Sequence, residues 1–320
     1  MRQRMPAKTI AMATAMLIGA CGPSVAVRAA AAGDLAHAGT AGPGSGERGD
    51  AVPTGVHLRV QSAALYPGEI VRIGLEGPAL RKAGGVAGRS AVVGELRVAG
   101  RRFPVIAEGA RRVAYVGFDM ATKPGRKVVS FQVGSVHGRA DVVVENKVFG
   151  TESLKVKPGF IDLDKATLAR VNQESNRLHK LWTVVTPAKL WTEPFRKPTN
   201  GAFGSPFGLR RIFNGKPRSP HSGLDIRSPM GTPIHASNRG RVVEASNLFF
   251  TGNTVVIDHG LGLYTLYAHM SRIDVQPGQT VGRGQVIGLV GATGRVTGPH
   301  LHWGAKLVGA RVDPVSLLGL

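Results

Sequence analysis

The residues best suited to chemistry lie in the last third of the chain, in short groups with regular spacing. One group is Pro220-His221-Ser222-Gly223-Leu224-Asp225 and another is Gly298-Pro299-His300-Leu301-His302-Trp303; between them stands His269, in Leu266-Tyr267-Ala268-His269-Met270. His221 and Asp225 are four apart, a spacing that shares one face of a helix. Pro217, Pro220, Gly223 and Pro229 crowd that segment and argue against a helix. On a strand, where side chains alternate, the same spacing again gives one face. His300 and His302 are two apart, so on a strand they share a face while Leu301 turns to the core. Two imidazoles on one face each need a polar partner if buried, and a metal or a catalytic water would supply it.

Histidine and carboxylate donors in a site of three protein groups suit zinc, which in catalytic sites keeps a fourth position open for water. Zinc lowers the pKa of that water from roughly 16 to about 7, so hydroxide exists at neutral pH, and it polarises a carbonyl under attack. Hydrolysis of a peptide bond also needs a general base or acid and a donor for the oxyanion. His269 and His300 are histidines that could serve beyond the ligands.

Taken together, the His-x-x-x-Asp of His221 and Asp225, the strand-end His269 and the His-x-His of His300 and His302 resemble the LytM-type (lysostaphin-like) M23 zinc metallopeptidase family. Flanking residues add to the likeness: Phe207-Gly208, Arg210-Arg211, Asp225-Ile226, Pro229-Met230-Gly231-Thr232-Pro233 and Asp258-His259-Gly260. The resemblance covers about residues 200–318; Trp303-Gly304 departs from the Phe and Glu that many members carry there. It implies an antiparallel β-sheet domain of barrel-sandwich, duplicated hybrid motif type, with a groove. It implies one zinc per chain, bound by His221, Asp225 and His302, with His269 and His300 beside the zinc water. The activity it implies is cleavage of peptide cross-links in bacterial peptidoglycan, whose stem peptides would be the substrate.

The rest of the chain must position and deliver that domain. Arg2, Arg4 and Lys8 precede an apolar run from Thr9 to Ala20, too short to span a bilayer. Residues 1–21 thus read as an export signal, and the sole cysteine, Cys21, resembles the lipidated cysteine of bacterial lipoproteins. The expected location is the periplasm or cell envelope, as an outer-membrane lipoprotein if Cys21 tethers the chain to a membrane. Residues 22–50, rich in Ala, Gly and Ser, read as a flexible linker. Residues 51–148 alternate apolar and polar in short runs broken by Pro67-Gly68, Gly84-Gly85 and Pro124-Gly125, which predicts an immunoglobulin-like β-sandwich. Residues 160–199 hold an amphipathic helix, capped by Asp164 and carrying Leu168, Val171, Leu178, Leu181 and Trp182, then a proline-rich linker. Residues 200–320 form the peptidase domain, so the chain as a whole is mainly β.

Lys+Arg 41 against Asp+Glu 20 gives a net charge of +21 and an affinity for polyanions. The basic residues are spread rather than gathered into a base-reading motif, so no nucleic-acid partner is expected; cell-wall polymers and lipid surfaces are anionic too. His57, His137, His179, His235 and His259 read as surface, packing or hydrogen-bonding residues. Arg210 and Arg211 read most simply as surface charge, with a grip on an acidic stem peptide as the functional alternative. Tyr264 and Tyr267 read as packing, and Asn200 and Asn214 are the asparagines that could reach a metal in a latent form. Two other functions compete. A non-catalytic LytM-like regulator that activates a cell-wall amidase would be expected to lack ligands, and the set is complete here. A sugar phosphotransferase component uses paired histidines, but the export signal and Asp225 argue against it.

Overall fold

Short apolar runs punctuated by glycine turns favour strands over helices, and strands dominate the computed structural model, which describes residues 25–27, 56–62, 64–82, 91–155 and 163–320. The export signal, Cys21, most of the 22–50 segment and the Gly84-Gly85 turn lie outside the described residues. No helix among the described residues is long and apolar enough to cross a membrane.

The upstream half is built from β1 (Val25–Val27), β2 (His57–Val60), β3 (Ile70–Glu76), β4 (Val92–Val98), β5 (Arg101–Glu108), β6 (Arg111–Gly117), β7 (Gly125–Val133) and β8 (Val136–Val144), with a short α1 (Pro78–Lys82) after β3. Their order is β1-β2-β3-β6-β5-β4-β7-β8, every neighbour antiparallel. The antiparallel all-β expectation is met, but the immunoglobulin-like detail is not. That sandwich needs two separate sheets, whereas here one hydrogen-bonded path runs through all eight strands. The sheet coils back on itself, since Leu65, just before β3, bridges Val144 at the end of β8 and accepts the N–H of Glu145 at 2.7 Å. β1 also places a strand inside the segment read as a linker, paired through Val25 with Val60.

β9 (Thr151–Leu154) leads to α2 (Lys165–Thr183), near the predicted position. The Asp164 carboxylate caps it by accepting the N–H of Thr167 at 2.9 Å. Leu168 is exposed, while Trp182 is buried edge-on to Tyr264 at 5.4 Å, with Leu178 and Leu181 packed against that cluster. Polar contacts add to this anchor: Arg177 with Glu244 at 3.0 Å, and Glu174 accepting the N–H of Phe249 at 2.8 Å.

The downstream half comprises β10 (Ala202–Phe203), β11 (Arg210–Phe213), β12 (Lys216–Arg218), β13 (Gly223–Arg227), β14 (Pro233–His235), β15 (Gly240–Leu248), β16 (Gly252–Asp258), β17 (Leu263–Ile273), β18 (Thr280–Val281), β19 (Val286–Val290), β20 (Leu301–Leu307) and β21 (Ala310–Val312), closed by a 3₁₀ turn over Pro314–Gly319. The main path is β10-β13-β20-β17-β16-β15-β18; β14 pairs with β19, β19 with β17 and β21 with β20. A separate three-stranded sheet sets β11 between β12 and, in parallel, β9.

The halves share one apolar core that runs from Val56 through both sheets to Leu317. Trp191, from the proline-rich segment, wedges edge-on against Tyr115 at 5.1 Å. Beside it Lys189 reaches Glu108 at 2.7 Å. Asp119 grips Arg311 through a two-pronged contact, 2.7 Å to Nη2 and 3.2 Å to Nε, and takes the Arg311 backbone N–H at 2.8 Å.

Candidate metal centre

Register puts the candidate ligands in one row. On three adjacent strands, Asp225 of β13 is the Cα partner of His302 on β20, and His302 in turn is the partner of Ala268 on β17. The strand argument holds for Asp225 and His302 but not for His221, which precedes β13. Backbone bonds hold His221 instead: its N–H donates to Leu209 at 2.9 Å and its carbonyl accepts from Gly208 at 2.8 Å. His300 likewise stands one residue ahead of β20, fixed by a bridge to Gly291.

Three donor atoms converge. His221 Nε2 lies 2.9 Å from His302 Nδ1 and 3.1 Å from Asp225 Oδ1, and His302 Nδ1 lies 3.0 Å from the same oxygen. Tetrahedral zinc with bonds of about 2.0–2.1 Å separates its ligand atoms by roughly 3.3 Å, so the triangle is close to what such an ion requires. His221 Nδ1 donates to the Pro206 carbonyl at 2.9 Å, which leaves its Nε2 with a lone pair aimed at the cluster. His221 is 2% exposed, so that lone pair has no solvent to turn to. Burial would raise the pKa of Asp225, but the imidazoles of His221 and His302 beside it outweigh that and hold the carboxylate far below its usual range. Burial lowers the pKa of His302, against the pull of Asp225. A carboxylate and two imidazoles, converging and largely dehydrated, are a donor set for a divalent cation.

His269 and His300 complete the ring. Their centroids are 4.9 Å apart, and His269 lies 5.9 Å from His302. His269 has a left-handed backbone (φ 65°), at an irregularity where β17 slips its register against β16. Such a kink re-aims a side chain at a local cost in strain. Its Nδ1 donates to the Thr293 carbonyl at 2.9 Å, and His300 Nδ1 to the Gly298 carbonyl at 2.9 Å. When neutral, each ring therefore carries its lone pair on Nε2, and that of His300 is 3.7 Å from Asp225 Oδ1. Burial, aided by the charges of His302 and His300, pushes the pKa of His269 down to about 3, so it is neutral at physiological pH.

The ring opens into a cavity of 640 Å³ whose wall includes Glu152, Lys155, Arg211, Phe213 and Arg295. The sequence reads Arg211 most simply as surface charge, with a grip on an acidic stem peptide as the alternative; its Nη2 lies 3.7 Å from Asp225 Oδ2. The pair Arg210-Arg211 ahead of the first motif was the available signal. Nothing flagged Glu152, which β9 delivers by pairing with a strand more than fifty residues later. Asn200 and Asn214 are not among the residues lining the cavity. Tyr264 and Tyr267 are buried packing residues, the latter accepting the Ser237 N–H at 2.9 Å. His57, His137 and His179 lie on the surface, His235 meets the Pro198 carbonyl at 3.2 Å, and His259 is buried in a hydrogen-bonded slot.

Comparison with known proteins agrees with this geometry. A family model described as Peptidase family M23 matches residues 219–314. The chain is 51% identical over 113 residues to the peptidoglycan DD-endopeptidase ShyA of Vibrio cholerae, a match covering 35% of this chain and 26% of that protein. It is 44% identical over 113 residues to the DD-carboxypeptidase/endopeptidase Mpg of Neisseria meningitidis serogroup B, again 35% of this chain and 26% of that protein. The match thus spans about a quarter of the length of these curated relatives. A crystallised Pseudomonas aeruginosa protein assigned to peptidase M23 superposes with a TM-score of 0.61 at 32% identity, over 79% of this chain and 95% of that one.

Proposed function

Because the chain belongs to peptidase family M23, we propose that it is a zinc-dependent endopeptidase that hydrolyses peptide cross-links of bacterial peptidoglycan. The observation that carries this is the convergence of His221 Nε2, Asp225 Oδ1 and His302 Nδ1 to within 3.1 Å of one another beside a cavity that Asp225 and His302 line. One relative is by its name a peptidoglycan DD-endopeptidase, and the family model spans residues 219–314, which hold all five site residues.

In this reading His221, Asp225 and His302 hold one zinc ion. Zinc bound there would polarise a scissile carbonyl and bring the pKa of a water near neutrality. The chain's own residues do the rest. Asp225, kept ionised by its two histidine neighbours, offsets the charge of the cation. The Pro206 carbonyl fixes the His221 tautomer. His269 is neutral at physiological pH, its Nδ1 proton held by Thr293, so Nε2 can take a proton from water as the nucleophile forms. His300, similarly locked by Gly298, stands 4.9 Å from His269, ring to ring. Once protonated, its Nε2 can donate to the oxyanion and then hand that proton to the departing amine.

We further propose that the protein is exported to the cell envelope. The support is the charged and apolar pattern of residues 1–21, with Cys21 as the point of a lipid tether. The net charge of +21 suits an anionic wall.

The test is digestion of defined cross-linked peptidoglycan fragments, with products read by mass. Cleavage at the cross-link amide, abolished by a chelator and restored by zinc, is the expected result. Cleavage indifferent to the chelator, or stimulation of an amidase by a zinc-free protein that cuts nothing itself, would overturn the proposal.

A further inference from the structure

The cavity beside the ligand row carries charge that metal binding does not use. Lys155, Arg211 and Arg295 face it, against two carboxylates, Glu152 and Asp225, and Asp225 is committed to the ligand cluster. Arg211 and Glu152 are Cα partners across the β9–β11 pairing. They nonetheless fail to satisfy each other, for Arg211 Nε and Glu152 Oε2 are both buried with no hydrogen-bond partner. Arg211 approaches Asp225 only to 3.7 Å, beyond hydrogen-bond reach. Arg295 stands over the rings of Phe250 at 4.3 Å and Phe213 at 5.2 Å. Its pKa is lowered, first by burial and then by the like charges of Arg211 and Arg218.

Guanidinium groups gathered around a hollow repel one another and forgo hydration, and an anion seated among them relieves both costs. Among anions, a planar carboxylate matches the guanidinium fork with two parallel hydrogen bonds. The hollow adjoins the amide-cutting residues, so the carboxylate that reaches it belongs to the substrate.

We propose that Arg211, together with Arg295, forms a specificity subsite for a free carboxylate on the residue flanking the scissile amide. The subsite rests on the endopeptidase reading and narrows its substrate class. Cross-links whose joining residue keeps an ionised carboxyl are favoured, and amidated or all-glycine bridges are not. Glu152 works against the preference, since it offsets one of the cations facing the cavity.

Two cross-linked peptides provide the test, identical except that the carboxyl beside the scissile amide is free in one and a carboxamide in the other. The full-length, zinc-loaded protein should favour the free acid in kcat/KM by about ten- to a hundredfold, the scale of a charge-assisted pair. In Arg211→Gln and in Arg295→Gln that ratio should fall to within about threefold of unity. Arg211→Lys, which keeps the charge and loses the fork, should fall between. Glu152→Gln should keep or widen the ratio. Zinc content, measured for each variant, separates loss of metal from loss of preference. Because the readout is a ratio, a variant with a lowered absolute rate still reports, and Arg295→Gln carries the test if Arg211→Gln does not fold. A wild-type protein that cuts both peptides equally, or a ratio unmoved in both arginine variants, overturns the subsite and leaves the endopeptidase reading standing. A zinc-loaded wild type that cuts neither peptide overturns that reading and the subsite with it.

Discussion

Replacing His259 by glutamine should flatten the acid side of the stability curve. His259 is fully buried: its Nδ1 donates to the Arg239 carbonyl at 2.8 Å, and its Nε2 meets the Thr265 hydroxyl at 2.7 Å. Phe195 closes the slot edge-on at 5.1 Å. No carboxylate is hydrogen-bonded to the ring, so burial lowers its pKa to about 4, against roughly 6.5 in an unfolded chain. Below pH 6.5 the unfolded chain therefore binds the extra proton first. The contribution is complete above the unfolded value and is lost as pH falls toward the folded one. Integration gives a loss of about 2 kcal/mol between pH 7 and 5, and about 3 kcal/mol by pH 4. Glutamine does not titrate and retains one of the two hydrogen bonds, so the variant should start about 1–2 kcal/mol less stable at pH 7. The assay is urea unfolding of both proteins across that pH range, with metal stripped so that ligand protonation does not enter. Other buried histidines, His269 among them, titrate in both proteins and cancel in the difference. Between pH 7 and 5 the wild type should lose about 2 kcal/mol more than the variant. Parallel curves would refute the argument that His259 is held neutral by burial.

Other consequences concern the site and the join between halves. His302→Ala removes a donor from the convergent triangle; metal analysis should show zinc affinity down by at least a hundredfold, and cross-linked fragments should no longer be released. Gly223→Ala would place a Cβ 2.5 Å from the Trp303 carbonyl and 2.7 Å from His302 Cε1, so it should displace that ring and weaken zinc binding about ten- to a hundredfold, measured by competition with a chelating dye. Asp119→Asn breaks the forked contact with Arg311 and should cost about 2 kcal/mol in chemical unfolding, with little change in kcat.

Local pattern made parts of this molecule readable. The cap at Asp164 is a signal within a few residues and is matched by the structure; the one-residue gap between His300 and His302 brings both to one cavity, although His300 stands just ahead of β20. The four-residue gap between His221 and Asp225 gave the right proximity for a reason that did not hold, because His221 lies ahead of its strand. Strands whose alternation is broken were harder to read. β5 opens on Arg101-Arg102 and contains Pro104, and β15 hides its alternation because Glu244 takes a buried position, compensated by Arg177 from α2. Sequence alternation cannot tell one coiled sheet from two stacked ones, since both bury every second residue. It also gave no hint that β9 would pair with β11 and bring Glu152 into the cavity. Long-range register of that kind is set by the packing of the whole.

That parallel pairing bears on how the protein can be dissected. β11 is flanked by β12 on one side and by β9, from the upstream half, on the other. Trimming the gene to residues 200–320 would strip the second neighbour and leave a row of backbone donors and acceptors facing water, a template for self-association. It would also delete Glu152 and Lys155 from the lip of the cleft and bare the apolar surface that Trp191 and Phe195 cover. A minimal fragment would then differ from its parent in solubility and in the lining of its cleft, and assays on it would describe a remodelled protein.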